Sequence, residues 1–429
     1  MYTLENTVRE YAWGSKTLLS GYLDRAPSGA PEAELWLGAH PGAPSMAKSH
    51  NGHAKLNDLI ETDPEGLLGG PSRAAFGDTL PFLMKVLAAD SPLSLQVHPT
   101  REQAAAGFAA EEASGVPLES EKRNYKDPNH KPEMILALTE FGALCGLRPA
   151  SESAAIFELL VTAFRDTGVE VPPVLERTVA ALSGPDGPAS LRAAFVELIH
   201  GGTEVCSAVE AVAGLLRSGL PEGPFTEALE TALQLSGTCP SDPGVLISLM
   251  LNRVSLRPGE AVYLPAGNIH AYLHGLGIEV MASSDNVLRG GLTAKHIDVD
   301  ELLRTVDFTP LPVPRLSATS AGDGRKVWNP PFEEFQLQEI QQPPGNGGIE
   351  LPSGSPAVIL AVAGAVTVTA RHESLQLGRG DSAFIRADDG PVTLRAAGPD
   401  PLVAFVVTTA AAPIDGTSMA FSSEEPGLP

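Results

Sequence analysis

Residues 259–270 read GEAVYLPAGNIH, and this stretch decides the fold. Gly259 predicts a tight turn, the apolar residues after it predict a short strand, and Pro265 and Gly267 predict a second turn. Because glycine permits the required backbone conformation, the second turn can aim the imidazole of His270 into the mouth of a barrel. The sequence therefore predicts a β-barrel with a histidine at its opening.

The same pattern of turn and strand occurs again at residues 377–385, LGRGDSAFI. This stretch aligns with residues 256–264, LRPGEAVYL, because each copy places a glycine and an acid before an apolar strand. The second copy has Arg386 in place of the proline, and no histidine follows it. Two related barrels are therefore predicted, and only the first is expected to hold a metal.

The chain divides into β-rich and helical parts. Its 43 glycines and 38 prolines among 429 residues indicate many turns and short strands. Between about 151 and 250, apolar residues recur at helical spacing, with Ser151 and Ser190 as expected N-caps. We predict a mainly β fold with an α insertion. The first, catalytic barrel is expected at 1–150 and 251–320, the helical insertion at 151–250, and a second barrel without metal at 321–429.

The net charge, the apolar stretches and the cysteines limit the expected partners and the expected location of the protein. The formal net charge of −23 excludes nucleic acid and anionic membrane surfaces, and a phosphorylated ligand would need a local cluster of Lys and Arg. Residues 356–370 form the longest uncharged apolar stretch, which is too short for a membrane span and predicts two strands around a turn at Gly364. Three cysteines without a C-x-x-C motif, and charges within residues 1–15, favour a cytoplasmic protein without disulfides.

Four residues form a candidate metal site. In residues 94–99, SLQVHP, the side chains of Gln96 and His98 point to the same face of a strand. Glu133 ends the stretch NHKPE, and His270 ends the barrel motif. Two imidazoles, a carboxylate and an amide oxygen can hold a divalent ion and leave a position for water or substrate. A lone histidine is more often a hydrogen-bonded side chain, so the prediction rests on the joint pattern.

These stretches resemble a known family. Residues 259–270 resemble the second motif of the cupins, and the chain as a whole resembles type I mannose-6-phosphate isomerases, which are cupins. The resemblance rests on residues 11–14 (YAWG), 34–38 (ELWLG), 80–85 (LPFLMK), 94–99 (SLQVHP), 129–133 (NHKPE) and 279–293 (EVMASSDNVLRGGLT). It implies two cupin-like double-sheet β-barrels, or jelly rolls, with a helical domain inserted in the first.

The resemblance also implies an activity and its residues. It implies an enzyme with one Zn²⁺ per chain that interconverts mannose 6-phosphate and fructose 6-phosphate. The implied zinc ligands are Gln96, His98, Glu133 and His270. The implied catalytic residues are Arg289, which would stabilise an enediol-type intermediate, and its neighbours Lys131, His130, Asp285 and Glu279. The sequence does not choose the general acid/base among these four. The implied substrate-binding residues are Ser94, Arg101 and Lys295 for the phosphate and Trp13 for the sugar.

Structural roles compete with these functional roles. Lys131 could be a solvated turn lysine, and Arg289 could form an ion pair with Asp285 that also orients its guanidinium. Trp13 and Trp36 could be core aromatics beside turn glycines. Arg101, Lys131, Arg289 and Lys295 are nevertheless expected to supply the basic cluster that a phosphate requires.

Three other functions compete with mannose 6-phosphate isomerisation. A cupin dioxygenase would favour iron and more histidine ligands, which Gln96 and the basic residues argue against. A metal-binding cupin that binds a sugar phosphate without isomerising it would leave the same sequence. A related sugar phosphate could be the substrate of the same site. In each case the expected partner is a small molecule, and the protein is expected to be a monomer that binds neither nucleic acid nor membrane.

Overall fold

The computed structural model describes residues 1–49, 52–221, 223–371 and 373–410. The end of the predicted second barrel, residues 411–429, lies outside this part. The described strands are β1 (Tyr2–Glu5), β2 (Thr7–Arg9), β3 (Glu34–Gly38), β4 (Met46–Ser49), β5 (Gly52–Lys55), β6 (Phe82–Ala89), β7 (Leu95–Val97), β8 (Glu133–Ala137), β9 (Phe141–Leu147), β10 (Leu251–Leu256), β11 (Ala261–Leu264), β12 (His270–Ala282), β13 (Leu288–Gly291), β14 (Arg315–Leu316), β15 (Thr319–Ser320), β16 (Arg325–Trp328), β17 (Gln336–Gln342), β18 (Ile349–Leu351), β19 (Ala357–Ala363), β20 (Ala365–Thr369), β21 (Ser374–Leu377), β22 (Ser382–Ile385), β23 (Val392–Ala397) and β24 (Leu402–Thr408).

The described α-helices fall mainly between β9 and β10, as predicted. They are α1 (Leu18–Tyr22), α2 (Leu56–Thr62), α3 (Pro64–Phe76), α4 (Arg101–Ala113), α5 (Ala150–Thr167), α6 (Pro173–Leu182), α7 (Gly187–Ile199), α8 (Gly202–Ser218), α9 (Thr226–Thr238), α10 (Gly244–Ile247) and α11 (Val299–Thr305). In the part of the chain that is described, no helix is long and apolar enough to cross a membrane. The prediction of a mainly β fold with a helical insertion is confirmed.

The long strand β12 organises the first barrel. Residues 270–274 of β12 pair with β9, and residues 275–282 pair with β6 and β8. The barrel is a double sheet, and this one strand belongs to both of its layers. The change of layer occurs at Gly275, whose φ of +120° favours glycine. A Cβ there would lie 2.7 Å from the carbonyl oxygen of Glu140, so no side chain fits. This strand therefore carries His270 at one end and Glu279 near the other.

The second barrel is built from a nine-stranded and a four-stranded sheet. Gly364, with φ of +64°, separates β19 and β20 as predicted, but the two strands do not pair with each other. β19 pairs with β22 and β24, whereas β20 pairs with β21 and β23, so the chain crosses between sheets at this glycine. β1, β4 and β5 extend the nine-stranded sheet, which links residues 2–55 to the second barrel. The proposed division into three domains stays a prediction.

The helical insertion begins and ends differently from the sequence prediction. Helix α5 begins at Ala150 after Pro149, so Ser151 is not its N-cap. Ser190 lies inside α7, because the Asp186 carboxylate accepts the Ala189 N–H and caps this helix four residues before Ser190. The expected N-caps Ser151 and Ser190 are therefore wrong, although the helices themselves are present.

The insertion packs on the outer face of the strands that carry the metal-site motifs. Its core contains side chains from α5 to α10 together with Leu95 and Val97 of β7, Ala271 of β12 and Leu288 of β13. Because successive side chains in a strand point to opposite faces, the residues between these positions face the barrel interior. The insertion thereby fixes which side chains point inward.

The contact between Phe195 of α7 and Phe308 ties the insertion to the barrel. Their ring centroids lie 5.6 Å apart in an edge-to-face arrangement, and Phe195 is fully buried. We predict that Phe195→Ala lowers the free energy of unfolding by about 3–5 kcal/mol, because it removes a buried ring and leaves a cavity. Urea denaturation followed by circular dichroism measures this loss.

Arg192→Ala provides the control on the same helix. Its side chain is exposed, so the free energy of unfolding should change by less than about 0.5 kcal/mol. A loss below about 1 kcal/mol for Phe195→Ala would contradict the packing described here.

Candidate active site

A cleft of 370 Å³ opens on the inner face of the first barrel. Its volume lies within the range that small-molecule sites occupy. The predicted site residues that line it are Trp13, Ser94, Gln96, Lys131, Glu133, Glu279, Asp285, Arg289 and Lys295. The structure thus brings together nine of the thirteen residues that the sequence analysis selected.

Three buried ligand atoms meet at the base of this cleft. Glu133 is the first residue of β8, and its carboxylate oxygens lie 3.2 Å from His98 Nε2 and 3.5 Å from His270 Nε2. One ligand atom from each residue falls within 4.8 Å of the others, which is the spacing of donors around one metal ion. All three residues are at most 1% exposed.

The two imidazoles are oriented for metal binding by backbone carbonyls. His98 Nδ1 lies 2.8 Å from the Asn286 carbonyl oxygen, and His270 Nδ1 lies 2.9 Å from that of Asn268. If each Nδ1–H donates to its carbonyl, each Nε2 presents a lone pair to the site. His98 Nε2 and Glu133 Oε2 are buried and lack a hydrogen-bond partner within the described residues. Buried polar atoms without a partner are costly, so these donors fit a bound cation.

The ionisation of these groups also suits a cation. Burial lowers the pKa of His98 to about 4, so the imidazole is neutral at neutral pH, as a metal ligand must be. Burial opposes ionisation of Glu133, but the neighbouring imidazoles and Lys131 hold its pKa well below the ordinary value. The site therefore presents an ionised carboxylate beside the neutral imidazole of His98.

Gln96, the predicted fourth donor, lies beside this group. It lies on β7 opposite His270 in the sheet, and its side-chain amide nitrogen lies 3.2 Å from His270 Nε2. The two ends of an amide are interchangeable by a rotation of the side chain, and the rotated carbonyl oxygen would face the same point. Gln96 can therefore join the three ligands at the base of the cleft.

A buried lysine network that the sequence analysis did not select lies beside this centre. Lys85 Nζ is 2.8 Å from Glu279 Oε2 and 3.5 Å from Glu34 Oε1, and Glu34 also accepts the Trp36 Nε1–H at 2.7 Å. Burial alone would lower the pKa of Lys85, but the two carboxylates raise it, so the lysine is charged. Its signal in the sequence is a single lysine within the otherwise apolar strand FLMKVLAA.

Two basic residues of the cleft are not neutralised by acids. Arg289 lies on β13, opposite Gln96 on β7, and Lys295 follows the same strand. Among the described residues neither forms an ion pair, and Asp285 instead lies 3.5 Å from His40 Nε2. The ion pair with Asp285, which was the alternative structural role for Arg289, is not formed among the described residues. Both cations are therefore available to an anionic ligand.

Arg101 and His130 lie outside this cleft. They line a separate pocket of 150 Å³ with Glu334, which precedes β17 of the second barrel. Arg101 Nη2 donates to Glu334 Oε1 at 2.7 Å, and His130 Nε2 lies 2.6 Å from the same oxygen. Of the predicted basic cluster, Lys131, Arg289 and Lys295 line the cleft, whereas Arg101 is neutralised by a carboxylate that precedes β17 of the second barrel.

Fold and site together define a class. The first barrel is a cupin-type double sheet. Its inner face carries a His–Glu–His group that could hold a metal, beside a cleft in which two basic side chains form no ion pair among the described residues. These are the features of a metal-dependent cupin that binds an anionic small molecule.

Comparison with known proteins gives the family. Residues 1–150 match the family described as phosphomannose isomerase type I, catalytic domain. The mannose-6-phosphate isomerase of Escherichia coli strain K12 is 39% identical over 403 residues, which cover 93% of this chain and 98% of that protein. The chain belongs to the type I phosphomannose isomerase family.

Solved structures agree with this assignment. A mutant of phosphomannose isomerase from Salmonella typhimurium superposes with a TM-score of 0.84 at 36% identity, covering 96% of this chain and all of that one. A mannose 6-phosphate isomerase solved with zinc and yttrium has a TM-score of 0.83 at 36% identity and covers 96% of this chain. The predicted cupin-like fold is thus confirmed by structural neighbours over nearly the whole chain.

Replacing His270 tests the metal site directly. We predict that His270→Ala abolishes stable metal binding, because Nε2 of this residue is one of two imidazole donors. Metal content is measured by plasma emission spectrometry after gel filtration.

His274→Ala is the matched control on the same strand. His274 lies four residues further along β12, outside the ligand group, so its replacement should leave metal content unchanged. Metal content of wild-type level in His270→Ala would remove His270 from the ligand set.

Proposed function

We propose that the protein interconverts mannose 6-phosphate and fructose 6-phosphate. The observation that carries the proposal is the buried His98–Glu133–His270 group, which adjoins a cleft holding two unpaired cations. Curated relatives in this family carry the name mannose-6-phosphate isomerase. The dioxygenase alternative is not favoured, because the ligand group found among the described residues contains two imidazoles, and the adjoining cleft is lined by several charged groups suited to a phosphorylated sugar.

Zinc is the proposed metal, at one ion per chain. His98, Glu133 and His270 would hold it together with Gln96, and a solved relative is described as zinc-bound. Zinc bound there supplies Lewis-acid polarisation of the sugar carbonyl and a template for its two adjacent oxygens.

Arg289 is proposed to stabilise the charge that develops during isomerisation. Moving a proton between C1 and C2 passes through an enediol-type intermediate with negative charge on oxygen. Burial lowers the pKa of Arg289, but a guanidinium stays protonated and can donate to that oxygen. Arg289 on β13 is paired with Gln96 on β7, and Gln96 is a proposed metal ligand.

The phosphate is proposed to bind at Lys295 and Ser94, with Trp13 beside the sugar. These residues line the same cleft as Arg289, and Lys295 forms no ion pair within the described chain. The free ammonium group can therefore pair with a phosphate oxygen. Arg101 is a weaker candidate for this role than the resemblance implied, because Glu334 already pairs with it.

Lys131 is our leading candidate for moving the proton. Among the four acid/base candidates it alone contacts a metal ligand, with Nζ 3.2 Å from Glu133 Oε1. Glu279 pairs with Lys85, Asp285 is half exposed and His130 pairs with Glu334. Geometry therefore favours Lys131 for exchange of a proton close to the ligands.

The cellular setting is also proposed. The absence of disulfides among the described cysteines and the net charge of −23 are consistent with a cytoplasmic monomer that binds no nucleic acid. The second barrel is proposed to be structural, since the described part of it holds no group of metal-binding side chains.

Arg289→Ala tests both the activity and the role of this residue. In a coupled assay for fructose 6-phosphate formation, wild-type protein should be active, and the variant should lose about 10²–10³-fold in kcat. Metal content should stay at the wild-type level, because Arg289 is not a ligand.

Arg289→Lys is the control that retains the positive charge. It should recover part of the lost rate, since an ammonium supplies charge without the planar donor pair. Near-normal turnover in Arg289→Ala would show that its assigned role is wrong, whereas inactive wild-type protein with zinc bound would favour the binding-only alternative.

A further inference from the structure

The segment after β13 supplies one wall of the cleft. Arg289, Leu292, Thr293 and Lys295 all line the cleft and lie within seven residues of one another. β13 ends at Gly291, so the last three are no longer held by strand pairing. Something other than the sheet must fix their positions.

One side chain from the helical insertion holds this segment. The Asp242 carboxylate accepts the Leu292 N–H at 2.9 Å through Oδ1 and the Thr293 N–H at 3.2 Å through Oδ2. Oδ1 also accepts the Gly244 N–H at 2.7 Å, which fixes the carboxylate to the start of α10. Successive backbone N–H groups around a left-handed residue form a concave anion site, and here a carboxylate of the same chain occupies it.

The backbone is strained in both segments that meet at the Asp242 carboxylate. Leu292 has a φ of +55° and Ser241 a φ of +63°, and they are two of the four non-glycine residues with positive φ in the described chain. Such conformations cost free energy and persist only where the surroundings enforce them. The buried Leu292 side chain packs into the core of the insertion, so the strain is balanced by contacts from the same domain.

The two segments also approach too closely for side chains. A Cβ on Gly291 would lie 2.8 Å from the Gly244 Cα, and a Cβ on Gly244 would lie 2.8 Å from the Leu292 nitrogen. Both glycines are needed for this approach. Hydrogen bonds, strain and close packing therefore all point to one contact between insertion and cleft.

We propose that Asp242 is a positioning residue for substrate binding, through which the helical insertion holds the cleft segment that carries Thr293 and Lys295. The inference rests on the proposed function, because the bound molecule is taken to be the sugar phosphate. Asp242 does not line the cleft, so it acts through the backbone of residues 292 and 293. The insertion thus contributes to the site and does not merely cover the barrel.

Asp242→Asn tests this role at constant side-chain size. It removes the charge and places an amide N–H₂ where at least one of the three backbone N–H groups needs an acceptor. We expect the KM for mannose 6-phosphate to rise about tenfold or more, because small displacements of binding groups are costly. Arg289 and the ligands Gln96, Glu133 and His270 lie on paired strands, and His98 directly follows β7. We therefore expect kcat to change less than about threefold and zinc content to stay the same.

Asp186→Asn is the matched control within the insertion. Asp186 also accepts one backbone N–H, that of Ala189, but it caps α7 and has no contact with the cleft. Its KM and kcat should match the wild type. Gly291→Ala provides a second variant, because its Cβ would lie 2.8 Å from the Gly244 Cα and 3.1 Å from Asp242 Oδ1 and would push the same segment away while the carboxylate is retained. It should raise KM in the same direction.

Hydrogen exchange measures the contact independently of catalysis. The amides of Leu292 and Thr293 should be protected in the wild type and should exchange at least about tenfold faster in Asp242→Asn. Unchanged exchange in a folded variant, or a lowered Tm with unchanged KM, would overturn the proposal. If the wild-type protein does not isomerise mannose 6-phosphate, the proposed function fails, and the exchange rates alone decide whether Asp242 holds the segment.

Discussion

The site depends on the alternation of side chains along β7, β12 and β13. One face of these strands is buried against the helical insertion, through Leu95, Val97 and Leu288 among others, and the opposite face carries Gln96 and Arg289 into the cleft. A shift of register by one residue would exchange the two faces, so the apolar contact with the insertion fixes the direction of the polar groups. The insertion is therefore part of what makes the active site.

The same burial that fixes the metal site makes it unfavourable without a cation. A carboxylate and two imidazoles lie at the base of the cleft with almost no exposure to water, and Glu133 is deprotonated there. Desolvated groups of this kind are costly unless they are paired or coordinated. Lys131 offsets the charge of Glu133, as a cation held by the ligands would, whereas Lys85 pairs with Glu279 and Glu34. The charged residues are thus divided into a ligand set and a separate buried network.

Local sequence patterns predicted much of the fold and of the candidate site. They failed where contacts between residues far apart in the sequence determine the position of a side chain. The turn at Gly259, the strand after it and the placement of His270 are local, so residues 259–270 sufficed for them. Arg101 is the first residue of α4, and only the distant Glu334 shows that it turns away from the cleft. The role of Lys85 was not predicted, because a single lysine in an apolar strand does not indicate which carboxylates of other strands lie close to it. Asp242 gave no signal, since its partners are backbone amides about fifty residues away.

The most direct test of the account is a zinc titration of the chelated protein, with isomerase rate and bound zinc measured on the same samples. The account predicts that chelated protein is inactive and that the rate of fructose 6-phosphate formation rises in proportion to bound zinc, with a maximum at one ion per chain. A chelated protein that retains the full rate, or a protein saturated with zinc that forms no fructose 6-phosphate, would contradict it.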